Sequence, residues 1–215
     1  MEAQNLSIYS EHETFVELLE SFGVIQRGHF EYKGKAEDGT RKHGDYYINY
    51  RILKTDQELA LRPHYIKAIN EWWGDKDNLI VVGVAMASLS LPKVIQLELF
   101  EQKGIEYAYT EKRDGVLGIY GGQADKIKGK HVLFIEDICN NGTSTKELLQ
   151  KIEEQKDEWG ITGFSFLYGV HRGHTYFEAP EGAFAAMGHF KALAYHKDKC
   201  PECAKGETPL KEYKK

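Results

Sequence analysis

LIVVGVA, Leu79 to Ala85, is a near-continuous apolar run, and it limits the fold more than any other stretch of this chain. A strand with one face in water alternates apolar and polar residues, whereas a run like this belongs to a strand buried on both faces. Further strand-like segments follow at IEYAYT (from Ile105), HVLFIEDI (from His131) and TGFSFLYGV (from Thr162). Helical patterns separate them. One runs from about Leu91 to Lys103, with Pro92 tolerated in its first turn and Gly104 as its stop. Another opens at Ser144 with Glu147 and closes at Trp159 and Gly160. Strand and helix therefore alternate from Leu79 to Val170. The pattern predicts an α/β protein with a mostly parallel twisted sheet and helices on both faces.

Upstream, Ser10 and Glu13 form a capping-box pattern ahead of Phe15, Leu18, Leu19 and Phe22, with Gly23 as a stop. Thr55 and Glu58 give a second box, opening a helix toward Trp73 that Pro63 is expected to kink or split. Between them, Val24 to Lys54 carries Phe30, Tyr32, Tyr46, Tyr47 and Tyr50 among glycines and charges, and YYINYR reads as a short strand. Residues 111–129 are glycine-rich and charged and read as a mobile loop, and residues 196–215 as a polar tail. The expected division is 1–54 for the first helix and a small N-terminal subdomain, 55–195 for the α/β core and 196–215 for the tail.

With 215 residues and 41% hydrophobic, the chain can build a core without disulfides or metal. A net charge of -5 argues against a broad electrostatic grip on nucleic acid. It leaves room for a small anionic ligand, which needs only a local positive patch. Cys139, Cys200 and Cys203 form no disulfide framework and suit a reducing compartment. MEAQNLSIYSEHE has no signal-peptide pattern, and no apolar stretch approaches bilayer length. The expectation is a soluble, cytoplasmic protein.

The strand HVLFIEDI ends in two adjacent acids, Glu136 and Asp137, and leads through Ile138 into a loop of small polar residues: Cys139, Asn140, Asn141, Gly142, Thr143, Ser144 and Thr145. In open parallel sheets, ligands bind beyond the carboxyl ends of the strands. A loop entering a helix there offers backbone N–H groups and the dipole to an anion. Gly142 permits close approach, and the hydroxyls add donors. The acids would repel a phosphate unless they face another part of the same ligand. A ribose 5-phosphate reconciles the two halves, with its phosphate on the loop and its hydroxyls on the acids. No Gly-Lys-Ser/Thr follows, so this is not a P-loop.

EDICNNGTS resembles the 5-phosphoribosyl-1-pyrophosphate (PRPP) motif of the type I phosphoribosyltransferases. The resemblance extends over most of the chain and points to the orotate branch. In GHFEYKGKAEDGTRKHGDYYINYR, the residues Gly28, His29, Phe30, His43, Tyr46, Tyr47, Asn49 and Arg51 match that branch's N-terminal hood over the base. The resemblance places Phe30, Lys42 and Tyr47 at the base, although Tyr46 and Tyr50 also suit a small subdomain core. VVGVAMASLSL is similar to the pyrophosphate loop, with Ala85, Met86, Ala87 and Ser88 as its contacts. YTEKRDG is similar to the catalytic lid and makes Lys112 or Arg113 the cation for the leaving group, the alternative being solvated loop charges. Arg172 in Val170-His171-Arg172-Gly173 suits bidentate pairing with the carboxylate of orotate.

The resemblance implies a type I phosphoribosyltransferase fold, a Mg²⁺ carried by the substrates rather than by a protein cage, and a homodimer. The activity implied is an orotate phosphoribosyltransferase acting on PRPP and orotate. The competing readings are a transferase for another base such as a purine, and a non-catalytic PRPP-binding regulator. Cys200-x-x-Cys203 has zinc-ligand spacing; it reads as a surface turn, or as a zinc site completed by His189 or His196 and another group.

Overall fold

A computed structural model describes residues 6–35, 38–76, 78–84, 89–140, 142–172, 183–190 and 194–211. In chain order the elements are β1 (Leu6–Ile8), α1 (His12–Ser21), β2 (Ile25–Lys35), β3 (Arg41–Ile48), α2 (Thr55–Trp73), β4 (Leu79–Gly83), α3 (Ser90–Lys103) and β5 (Glu106–Tyr109). There follow β6 (Glu111–Arg113), β7 (Val116–Gly118), α4 (Gly122–Ile127), β8 (His131–Cys139), α5 (Thr143–Trp159), β9 (Gly163–Arg172), β10 (Phe184–Phe190), α6 (Pro201–Ala204) and β11 (Leu210–Lys211).

Six strands form one sheet in the order β1-β10-β9-β8-β4-β5, and every pairing in it is parallel. The expected parallel sheet is present, extended by two strands that the sequence reading did not include, β10 and β1. All five residues of β4 are buried, as its unbroken apolar run requires. Alternate residues of β8 serve opposite cores. Leu133 and Ile135 join α1, α2 and α3 residues on one face, while Val132 and Phe134 join α5 residues on the other. On that second face the register sets Phe134 opposite Phe166 and Phe166 opposite Phe184. Their rings stack at 4.8 and 5.4 Å between centroids. Full burial of each such ring contributes about 2–3 kcal/mol.

The helix starts shift from their expected places. α1 begins at His12 with Glu11 at its N-cap and no side-chain cap bond, so Ser10 does not form the predicted box. α2 begins at Thr55 itself; instead of the predicted box, the Lys54 N–H one residue earlier donates to Gln57 Oε1 at 2.9 Å. Glu58 is left to accept from the Ser90 hydroxyl and tie α2 to α3. α2 runs unbroken through Pro63, which the sequence reading had expected to kink or split it. α3 stops where predicted, on Gly104 in the left-handed region at φ 69.

Residues 111–127, expected as part of a mobile loop, are built as an antiparallel hairpin, β6–β7, followed by the short helix α4. The hairpin turns on Asp114 and Gly115, both at positive φ (49 and 84), as a tight two-residue turn demands. The end of the chain is also more than a polar tail. β11 pairs in parallel with β2, which pairs antiparallel with β3, so the segment completes a three-stranded hood sheet. Tyr195 and His43 exchange backbone hydrogen bonds of 2.7 and 2.8 Å beside it. Among the described residues no helix is long and apolar enough to cross a membrane.

Candidate functional site

Because the main sheet is parallel, the carboxyl ends of β4, β5, β8 and β9 share one edge. The segments singled out in the sequence follow those ends: 85–88 after β4, Lys112 and Arg113 after β5, 138–145 at the end of β8, and Arg172 at the end of β9. Ala85, Met86, Ala87, Ser88 and Asn141 lie outside the described residues.

The end of β8 and the start of α5 enclose a cleft of ≈ 290 Å³ lined by Glu136, Ile138, Cys139, Asn140, Gly142, Thr143 and Ser144. Gly142 holds φ 64, which turns the backbone into α5. The N–H groups of that first turn have no partner within the helix and face the end at which a dipole favours an anion. Glu136 is buried, 7% exposed, near the hydroxyls of Ser144 and Thr145, which favour its ionised form. Burial outweighs them and, with Asp137 next to it, raises its carboxyl to about 7. Thr145 in turn meets the Tyr168 hydroxyl at 3.0 Å. Cys139 belongs to the wall: its thiol is buried and pushed up to about 12, which leaves it un-ionised at neutral pH.

Strand alternation separates the two acids. Glu136 lies opposite Tyr168, on the α5 face. Asp137 lies on the other face, in the field of Arg51, Tyr50 and Tyr65. Its Oδ1 accepts from the Ile138 N–H at 2.8 Å, which stiffens the strand end. Burial raises its carboxyl too. Gly169 makes this packing possible: a Cβ there would stand 2.5 Å from the Tyr50 hydroxyl and 2.7 Å from both the Asp137 carbonyl and the Tyr65 hydroxyl.

The hood residues divide as well. Arg172 stacks over the ring of Tyr32 at 4.3 Å, and the Tyr32 hydroxyl donates to the Tyr46 carbonyl at 2.6 Å. Phe30 is buried against Tyr47, with centroids 5.7 Å apart, in neither main core. Tyr46 and Tyr47, as neighbours in β3, face opposite ways. Tyr32, and not Phe30 or Tyr47, is the aromatic set beside Arg172. Lys42 is a half-buried residue of β3. On the hairpin, Arg113 pairs with Glu111 at 3.0 Å and stacks on Tyr120 at 4.6 Å, while Lys112 is exposed. His171 is buried, with its Nδ1 3.2 Å from His189 Nδ1. Tyr32 was legible as an aromatic of the hood, but nothing local marked its pairing with Arg172, which comes from a strand far along the chain.

The six-stranded parallel sheet with helices on both faces and a separate hood sheet is the type I phosphoribosyltransferase fold. In sequence, the chain is similar to orotate phosphoribosyltransferases: that of Thermoanaerobacter sp. is 26% identical over 196 residues, 91% of this chain and 94% of its own length. The enzyme of the same name from Caldanaerobacter subterraneus is 25% identical over 196 residues, with the same coverage. In structure, the orotate phosphoribosyltransferase of Aeropyrum pernix aligns with a TM-score of 0.54 and 23% identity, covering 82% of this chain and 94% of that one. No family model matches the chain.

Proposed function

We propose that this chain is an orotate phosphoribosyltransferase, moving ribose 5-phosphate from PRPP to N1 of orotate with release of pyrophosphate. The observation that carries the reading is the cleft in which Glu136 faces the loop from Ile138 to Ser144. The loop N–H groups and the hydroxyls of Thr143 and Ser144 hold the 5-phosphate. Glu136 accepts from the ribose hydroxyls. As the bond to pyrophosphate breaks, positive charge grows on the ring, and a fixed carboxylate in a buried site favours it. Asp137 holds the strand end from behind. Arg172, already oriented by Tyr32, presents its fork to the carboxylate of orotate. Lys112, exposed on the hairpin, serves the leaving group, in the homodimer that of the partner subunit. Ionised orotate needs no general base. The names of the sequence relatives support the same substrates.

Mg²⁺ fits this site as a guest of the substrate. The cleft offers hard oxygen donors from Glu136, Asn140, Thr143 and Ser144, and among the described residues a single carboxylate lines it, too few for a protein cage. Mg²⁺ carried in by the substrates would supply positive charge for the leaving group.

The test is to mix the protein with Mg²⁺, PRPP and orotate and follow orotate's ultraviolet absorbance. Loss of orotate supports the reading. Unchanged orotate with PRPP bound would point to a regulator, and consumption of a purine instead would overturn the base. The raised carboxyl adds a pH dependence. Ribose hydroxyls donate much more strongly to the ionised form, which Glu136 loses as pH falls through about 7. PRPP affinity should therefore drop by up to about tenfold per pH unit below that value. Calorimetry on the protein and on Glu136→Gln separates this from the titration of PRPP itself. Identical profiles would remove Glu136 from the ribose contact.

A further inference from the structure

The chain's end brings two cysteines to the hood, and two histidines of the hood meet them. Cys200 is the N-cap of α6 and Cys203 lies in its single turn, so both sulfurs reach one side. His43 lies in β3. His29 lies where the β2–β3 register shifts between Arg27 and Phe30, next to Gly28 at φ 152; such a bulge re-aims a side chain. His29 Nε2 is 3.0 Å from His43 Nδ1, 3.4 Å from Cys200 Sγ and 3.6 Å from Cys203 Sγ. His43 Nδ1 is 3.1 Å from Cys203 Sγ. The four donor atoms all lie within 4.8 Å of one another.

The four shortest of those separations, 3.0–3.6 Å, lie close to the edges of a coordination tetrahedron. Bonds of about 2.0 Å to nitrogen and about 2.3 Å to sulfur at tetrahedral angles give donor–donor edges of roughly 3.3–3.8 Å. Hydrogen bonding alone uses the cluster poorly. An imidazole nitrogen offers one proton or one lone pair, whereas here His29 Nε2 faces three donor atoms at once.

We propose that His29, His43, Cys200 and Cys203 bind one Zn²⁺ in a closed structural site that clamps the C-terminal segment onto the hood. Two thiols and two imidazoles in a tetrahedron suit zinc. On binding, the two thiol protons pass to solvent, and two thiolates neutralise the ion. An uncharged site suits its surroundings, since His29, His43 and Cys200 are all buried. His196 is not a ligand: its Nε2 is 2.7 Å from Asp38. His189 instead pairs with His171. The ion would fix β11 on β2 and hence the sheet that carries Tyr32 to Arg172. The proposal does not depend on the reaction, because every readout below is made without substrate.

The untagged full chain, purified under reducing conditions, should hold about one zinc per chain by elemental analysis, released when the thiols are mercurated. Exchange with Co²⁺ should give strong tetrahedral d–d bands and a thiolate charge-transfer band. Cys203→Ser should weaken zinc binding by roughly 100-fold, and His196→Ala should leave it unchanged. An octahedral Co²⁺ spectrum without charge transfer would overturn the proposal on the unaltered chain, whatever the folding of the variants. So would zinc far below one per chain after reconstitution, a Cys200–Cys203 disulfide in the reduced preparation, or an unchanged zinc affinity in Cys203→Ser.

Discussion

Glu136→Gln should cost roughly 100-fold in turnover and at the same time stabilise the unliganded protein at alkaline pH. Both effects have one cause. Burial holds the Glu136 carboxyl at about 7, above its ordinary 4.5, so the folded state resists ionising it. A carboxyl raised by folding contributes stability that is fully present below its unfolded value and is lost as pH rises through the folded one. Near pH 8 the ionised, buried carboxylate therefore costs on the order of 2–3 kcal/mol relative to its neutral form. Glutamine is isosteric, keeps a polar group near Ser144 and Thr145, and removes that cost. It also removes the negative charge that favours a positive ribose ring. Denaturant titrations at about pH 8 and about pH 4 should show the variant more stable at the first and equal at the second, with steady-state assays reading the lost turnover. A variant that keeps its turnover would take Glu136 out of the chemistry. One equally stable at both pH values would take away the burial argument.

Arg172→Ala should raise the KM for orotate by roughly 100-fold while leaving that for PRPP near its starting value. A charge-assisted bidentate pair is worth about 2–3 kcal/mol, and KM rather than kcat should carry most of the loss, because the carboxylate is held in ground and transition state alike. Arg172→Lys should recover only part of it, since an ammonium lacks the planar fork and stacks less well on Tyr32. Equal loss for both substrates would mean that Arg172 supports the hood and not the base. No loss for either would remove it from the site.

Much of the fold was legible because a parallel sheet writes itself locally. Strands buried on both faces are apolar runs, and β4 reads as one; β8 and β9 also read as strands. β1, with three residues, is too short to show any period. In β10, Phe184 to Phe190, small residues such as Ala185 and Ala186 blur the choice between strand and helix. The hairpin at Asp114-Gly115 had its signal in plain view, but the glycines and charges around it read as a loop. Of the two capping boxes, that of α1 did not form and that of α2 gave way to a single bond one residue earlier, because several nearby polar side chains compete for the same few N–H groups.

The site shows the same division. Residues adjacent in sequence determined the loop of the cleft: a strand end, Gly142 and hydroxyls at a helix start come together from local backbone geometry alone, and the sequence by itself determined the α/β sheet that carries them. Tertiary structure decided which wall each acid faces, that Tyr32 and not Phe30 meets Arg172, and that Cys200 reaches His29 across 171 positions of chain. The physical reason is the range of the interactions. Hydrogen bonding and hydrophobic period are set within a turn or a strand, whereas a side chain's partner across the fold depends on the register of sheets assembled from distant segments.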